Sequence, residues 1–561
     1  MKQLVVLAAA WAAVGCAPSG QVAAQAGAEG GAAATDLGSR PALVVGLTVD
    51  QMRMDYLYRF WPYFGEGGFR RLVEGGFLCA DHHFGYAPTF TGPGHASIFT
   101  GTTPSVHGII GNDWYDRASG ASVYCAADTS VRGVGTADPL DAEGRMSPHR
   151  MRTTTLGDEL KLAFGRRPKV IGISLKDRGA ILPAGHAADA AYWFVGKDLG
   201  AFVTSTHYMD RLPDWAARWN AASPAQRLLD AGWSPLLPDS AYGVSWPDNT
   251  PYEGKFKGGV RAAFPYDLKA LAAANKGFDL LKATPGGNTL LVDFALAAVA
   301  GEGLGRDVWT DVLAVSFSTP DYVGHQFGPH AWETQDIYVR LDAELARLFA
   351  GLDAVVGAGQ WTCFLTADHA GATVPSLAAS EGIPVDYWKP GNLRDRIDST
   401  LQAVHGPGEW LLSYSNDQIF LNRPLIAQRG LSLAALQRSV AEWAQLEPNI
   451  HAAYAAADLV AGSGPDAVVD RLRLGHQPVL SGDVVVVPLP GWIDYGRTGT
   501  THGSPFAYDT HVPCIFYGWG VQPGVTYERT HIHDIAPTVS ALIHSPLPSG
   551  TTGAVIEDLF D

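Results

Sequence analysis

Six side chains able to hold a metal cation fall in four separate segments, each near the carboxyl end of a strand-like run. Asp50 ends ALVVGLTVD, and Asp321 ends DVLAVSFSTPD with His325 four residues further on. Asp368 and His369 end WTCFLTADH, and His502 lies in the Gly/Thr-rich loop TGTTHGSP. Three carboxylates and three imidazoles form a mixed oxygen and nitrogen donor set suited to two zinc ions; an all-oxygen set would suit magnesium or calcium better. Taken singly, a strand-end aspartate is more often a helix cap and a histidine a satisfied polar residue. The joint pattern argues for a metal centre.

A possible nucleophile lies in YAPTFTGPGHASIFTG, residues 86–101. Pro93 and its two flanking glycines break structure just before a helix-like run expected to begin near His95. Thr91 would then sit at a helix N-terminus, where the backbone dipole favours an anion. A neutral hydroxyl is a poor nucleophile, and metal coordination is one way to activate it. Thr89 is placed almost as well, and a plain capping role would suit either threonine.

These residues must be positioned by the elements around them. Short β-branched runs alternate with helix-like segments such as Glu333 to Val356, where apolar residues return at three- and four-residue spacing. The alternation predicts an α/β fold with a mostly parallel central sheet covered by helices on both faces. Ligands of such sheets collect beyond the carboxyl ends of the strands, where the acidic residues fall. Strand–helix alternation fades at about 192–276 and again at about 374–492, which includes LSLAALQRSVAEWAQL. Both stretches are read as insertions forming a cap or small α+β lobe. The pattern resumes with VPCIFYGWG and HIHDIAPTVSALI.

The chain has 561 residues, 47% hydrophobic and 17% charged, as expected of a globular protein with a large core. A formal charge of −16 argues against a generic grip on nucleic acid, which needs a basic surface. An anionic substrate would need positive charge concentrated locally. Lys2 followed by the apolar run Leu4 to Val14 reads as a signal peptide, taken as residues 1–24 and followed by a flexible linker over 25–40. Cleavage before Cys16 would give a lipid anchor; cleavage near Ala24 or Ala28 would give a free periplasmic or extracellular protein. No other stretch reaches the length of a transmembrane span. Export would permit a Cys79–Cys125 bridge, while Cys363 and Cys514, inside apolar runs, read as buried thiols.

The pieces LTVDQMRMDYL, TFTGPGHASIFTG, GIIGNDWYD, SLKDRGAILPAG, STPDYVGHQFG, LTADHAG and TTHGSP, in this order, resemble the alkaline phosphatase superfamily. Within it, the chain is similar to the secreted bacterial phosphatases that use threonine as nucleophile. The resemblance selects Thr91 over Thr89, because the family motif carries a small residue and then Pro-Gly-His after its nucleophile. It implies that Asp50, Asp368 and His369, with the Thr91 oxygen, bind one zinc, and that Asp321, His325 and His502 bind the other. It further implies that Asn112, Lys176 and Arg178 hold the phosphoryl oxygens, the last two from one strand face at positions i and i+2. The activity implied is hydrolysis of small phosphate monoesters through a phosphothreonine, by a protein expected to act as a monomer. A phosphodiesterase or nucleotide pyrophosphatase of the same superfamily is the alternative; those enzymes generally lack the Lys-x-Arg pair. A sulfatase is disfavoured by the absence of a C-x-P-x-R or S-x-P-x-R motif, and a catalytically dead binding protein by the presence of every ligand type.

Overall fold

Leu43–Val49 carries one polar residue in seven and is buried along its whole length. A strand buried on both faces needs neighbours on both edges and helices on both sides. In the computed structural model, which describes residues 40–461 and 467–560, this strand lies inside a ten-stranded sheet. Five parallel strands form its centre, in the spatial order Trp361–Thr366, Leu43–Val49, Asp311–Phe317, Val170–Ser174 and Ala190–Val195. Cys514–Gly518 joins one side antiparallel, followed by Phe77–His83 and Gly524–His531. Ala201–Ser205 and Gly133–Val134 close the other side, both antiparallel. The expected α/β architecture is therefore present, with antiparallel flanks on a parallel centre.

Side-chain alternation along the strands decides which helix meets which face. Gly46 and Gly172 face the layer of helices Thr91–Thr100 and Asp177–Ala184, which pack against each other. A Cβ on Gly46 would lie 2.6 Å from the Phe99 ring, and one on Gly172 would lie 2.1 Å from the Ala180 carbonyl. Tyr192 points to the opposite face and meets Phe294 of helix Pro285–Glu302 edge-on at 5.3 Å. The helix expected over Glu333 to Val356 is present as Trp332–Leu352, followed by a short π-helical turn over Asp353–Gly357.

Three local expectations are corrected. The stretch from 192 does not leave the sheet at once: Ala190–Val195 and Ala201–Ser205 are fully buried sheet strands, and irregular structure begins after Ser205. Their aromatic content, read as a break in pattern, is the packing against Phe294 and Trp219. Asp321 does not end a strand; the strand stops at Phe317, and Asp321 sits in the first turn of helix Thr319–Phe327. Pro320 suits that first turn, where its missing N–H costs nothing. All four cysteines within the described residues are buried thiols, so no Cys79–Cys125 bridge forms. Cys79 is instead the register partner of Cys514 across an antiparallel pair, while Cys125 belongs to a different hydrophobic cluster.

The second stretch is an α+β lobe with its own antiparallel sheet, in the order Leu411–Ser415, Gln418–Leu421, Val484–Pro488, Ile450–Ala455. Helices Pro390–His405 and Leu433–Gln445 supply Leu393, Ile397 and Val440 to its core. Asn416 and Asp417 turn the first hairpin with φ of 53° and 54°, the left-handed pair that a two-residue loop between twisted strands demands. The proposed signal peptide, Cys16 and most of the linker lie outside the described residues. No described helix is long and apolar enough to cross a membrane.

Gly94 brings its helix close to the site, since a Cβ there would lie 2.3 Å from the Asp368 backbone carbonyl. Alanine normally stabilises a helix interior relative to glycine by roughly 0.5–1 kcal/mol. Gly94→Ala should instead destabilise by about 1–3 kcal/mol, the usual cost of overpacking. Chemical denaturation decides it, and a gain in midpoint would contradict the packing described.

Candidate active site

The carboxyl ends of the central strands deliver the site residues to one place. Asp50 directly follows Leu43–Val49, and Asp368 and His369 follow Trp361–Thr366 by one residue. Asp321 and His325 lie one turn apart on helix Thr319–Phe327. His502 comes from the loop before helix Ala507–Thr510. Asp50, Asp368 and His369 present ligand atoms within 4.8 Å of one another, and so do Asp321, His369 and His502. His325 joins the second group through Asp321, with Nε2 to Oδ1 at 3.1 Å. His369 thus faces both groups, and its ring stacks on that of His502 at 3.3 Å.

All three imidazoles are oriented in the same manner. Nδ1–H of His325 donates to the Thr500 carbonyl at 2.7 Å, that of His502 to the Thr89 carbonyl at 2.7 Å, and that of His369 to the Ala370 carbonyl at 2.9 Å. A carbonyl can only accept, so each ring carries a proton on Nδ1; His369 and His502 turn a free Nε2 lone pair toward the carboxylates, whereas Asp321, against the opposing effect of burial, raises the His325 pKa from beside its Nε2. A backbone carbonyl behind the ring is the usual support of a metal-ligating histidine. Burial, then the neighbouring His325, lowers the His502 pKa to about 3, and burial with His502 lowers that of His369, which keeps both rings neutral.

The carboxylates are under electrostatic load. Burial, then the charge of Asp321, pushes Asp50 up to about 6, and burial with the Asp50 charge pushes Asp368 up as well. Lys176 Nζ lies 2.6 Å from Asp50 Oδ2 and 2.5 Å from Asp321 Oδ2, so one ammonium bridges two of the three buried acids. Asp50 Oδ1 and Asp368 Oδ2 are buried with no hydrogen-bond partner among the described residues. Orphaned buried carboxylate oxygens beside free imidazole lone pairs fit divalent cations, zinc among them, better than any protein donor present.

Thr91 is the first residue of helix Thr91–Thr100, four positions earlier than the sequence suggested, with Phe90 extended before it. Its hydroxyl lies 3.4 Å from His369 Nε2. The Thr89 hydroxyl instead donates to the Ser504 carbonyl at 3.2 Å. Asn112 Oδ1 accepts the Gly92 N–H at 2.8 Å, which holds this side chain beside the turn that bears Thr91. Lys176 and Arg178 do not share a strand face, because the strand ends at Ser174. Lys176 caps helix Asp177–Ala184 and Arg178 sits in its first turn, with Nη1 donating to the Tyr124 hydroxyl at 3.0 Å.

Several supporting residues were not singled out in the sequence. Gln51 spans two acids, its backbone N–H donating to Asp368 at 3.2 Å and its amide to Asp321 at 2.7 Å. Its place directly after Asp50 was the available signal. Asp509 accepts the N–H groups of Gly503 and Ser504 and holds the His502 loop. The carbonyls of Thr89, Thr500 and Ala370 left no signal, since every residue has one.

A hydroxyl facing open carboxylate and imidazole lone pairs, at the carboxyl edge of a parallel sheet, is the layout of a metal-dependent α/β hydrolase. Residues 44–510 match the family described as type I phosphodiesterase / nucleotide pyrophosphatase, and the chain belongs to it. It is 40% identical over 524 residues to alkaline phosphatase PhoV of Synechococcus elongatus, covering 93% of each chain. It is 39% identical over 531 residues to alkaline phosphatase PafA of Elizabethkingia meningoseptica, covering 94% of this chain and 96% of that one. The crystal structure of wild-type PafA superimposes with a TM-score of 0.88, covering 93% of this chain and 99% of the other.

Repulsion among the three acids gives a test independent of activity. Chelator-treated Asp50→Asn or Asp368→Asn protein should melt higher than chelator-treated wild type. Added zinc should then raise the wild-type Tm by several degrees, through preferential binding to the folded state, and raise that of the variants much less. Calorimetry without any gain on zinc addition would count against the metal centre.

Proposed function

We propose that this chain is an alkaline phosphatase acting on phosphate monoesters, with Thr91 as nucleophile and two zinc ions as cofactors. The observation that carries the reading is the Thr91 hydroxyl, at a helix N-terminus against His369 Nε2, inside a donor set with orphaned carboxylate oxygens. Alkaline phosphatases at about 40% identity over nine-tenths of both chains support it. Asp50, Asp368, His369 and the Thr91 oxygen would hold one zinc, and Asp321, His325 and His502 the other. Bound there, the ions supply Lewis-acid charge that lowers the hydroxyl pKa and offsets the charge of the phosphoryl group.

The chain's own groups then act in two displacements. Thr91 Oγ1 forms a bond to phosphorus as the bond to the alcohol oxygen breaks, and the alcohol leaves with a proton. Water next attacks the phosphothreonine, releasing phosphate and restoring the hydroxyl. The transition state is loose, so positioning and charge account for most of the rate. Asn112 lies beside the turn that bears Thr91, and Lys176 and Arg178 open a helix packed against the Thr91 helix; in this reading these three would supply donors to the phosphoryl oxygens. A monoester carries two free negative charges and suits this cluster; a diester carries one. Lys2 followed by the apolar run Leu4 to Val14 supports export, with either a Cys16 lipid anchor or cleavage near Ala24 or Ala28.

Thr91→Ala should reduce turnover of p-nitrophenyl phosphate to background while zinc content, measured on the same sample, is retained. Appreciable residual activity would move the nucleophile elsewhere. Joint replacement Lys176→Ala and Arg178→Ala should cut kcat/KM for p-nitrophenyl phosphate by roughly 10²–10³-fold or more. Its effect on bis(p-nitrophenyl) phosphate should be far smaller; equal losses on both esters would favour the diesterase alternative.

A further inference from the structure

A cavity of about 300 Å³ opens between the small lobe and the nucleophile loop, and its wall includes Phe90 and His502. Phe90 directly precedes Thr91, and its ring stands edge-on to His502 at 5.7 Å. An ester with its phosphorus against Thr91 therefore has this cavity beside it for the alcohol portion.

The lining has an unusual balance. Trp388, Tyr414, Trp492 and Tyr508 add aromatic surface to Phe90, and the lining contains aspartates but no lysine or arginine. Asp417 accepts from Trp388 Nε1 at 3.2 Å and from the Tyr414 hydroxyl at 3.0 Å through a single carboxylate oxygen. Asp494 makes no hydrogen bond or ion pair among the described residues. It is near enough to Asp417 that, added to burial, its charge helps push the Asp417 carboxyl up to about 6. The Trp492 indole N–H is buried and unpartnered. Carboxylates in a cavity whose lining holds no lysine or arginine are relieved by a cationic ligand. Aromatic faces around them suit an alkylated ammonium, which gains from ring quadrupoles and loses little on desolvation. A bare divalent metal would find too few oxygens here.

We propose that this cavity is the alcohol subsite and that it selects phosphate monoesters of ammonium alcohols; the inference rests on the monoesterase reading above. Phosphocholine and phosphoethanolamine represent the class, cleaved at the phosphorus–oxygen bond to give phosphate and the amino alcohol.

The test compares kcat/KM of the zinc-loaded full chain on phosphocholine and on 3,3-dimethylbutyl phosphate, where carbon replaces the quaternary nitrogen at equal shape. The charged ester should be preferred by about tenfold, the scale of one desolvated cation–π or charge contact. Asp494→Asn, at a residue with no structural bond to lose, should bring the ratio severalfold toward one, and Asp417→Asn should do the same. A ratio near one in the unaltered protein, or a preference that survives both substitutions, would overturn the subsite. Failure to hydrolyse p-nitrophenyl phosphate in the same preparation would instead overturn the monoesterase reading, and the subsite with it.

Discussion

Asp50, Asp321 and Asp368 converge in a buried space where Lys176 is the nearest counter-charge, and most features of the molecule follow from holding them there. Burial, and after it repulsion between like charges, raises the pKa values of Asp50 and Asp368, and those shifts express the cost. The packing of long, fully buried strands offsets it, and their carboxyl ends place Asp50 and Asp368 beside each other. The same crowding makes the site useful, because lone pairs that the protein does not satisfy are available to cations.

Close approach of helix to sheet is the second requirement. Gly46, Gly94 and Gly172 each sit where a Cβ would strike a ring or a carbonyl of the opposing element. Through Gly94 helix Thr91–Thr100 packs on the backbone of Asp368, which sets the turn bearing Thr91 against the strand end bearing Asp368. His95 adds a further tie, donating to the Thr91 carbonyl at 2.9 Å while its other nitrogen lies 2.8 Å from the Ser316 hydroxyl.

The small lobe contributes to the site from outside the sheet. Its hairpin tip reaches back through Asn416, whose amide donates to the Asp113 carbonyl at 2.7 Å, beside Asn112. Gly111 permits this contact, as a Cβ there would lie 2.6 Å from the Asn416 amide. The following residue, Asp417, faces the cavity. One left-handed turn thus both contacts the segment that carries Asn112 and lines the cavity.

The sequence by itself determined the parallel sheet, the α+β lobe and the grouping of Asp50, Asp321, His325, Asp368, His369 and His502. Those features are written locally, as apolar runs with polar ends and ligand types a few residues apart. Where a strand yields to a helix is decided by nonlocal packing, so Asp321 and the Lys176–Arg178 pair moved from strand positions to helix starts. Strand pairing across hundreds of residues likewise set Cys79 opposite Cys514 rather than near Cys125. Only the tertiary structure supplied the backbone carbonyls that fix each imidazole's proton on Nδ1, and the cavity between lobe and nucleophile loop. A carbonyl is common to every residue and a cavity belongs to none, so neither leaves a mark in the order of side chains.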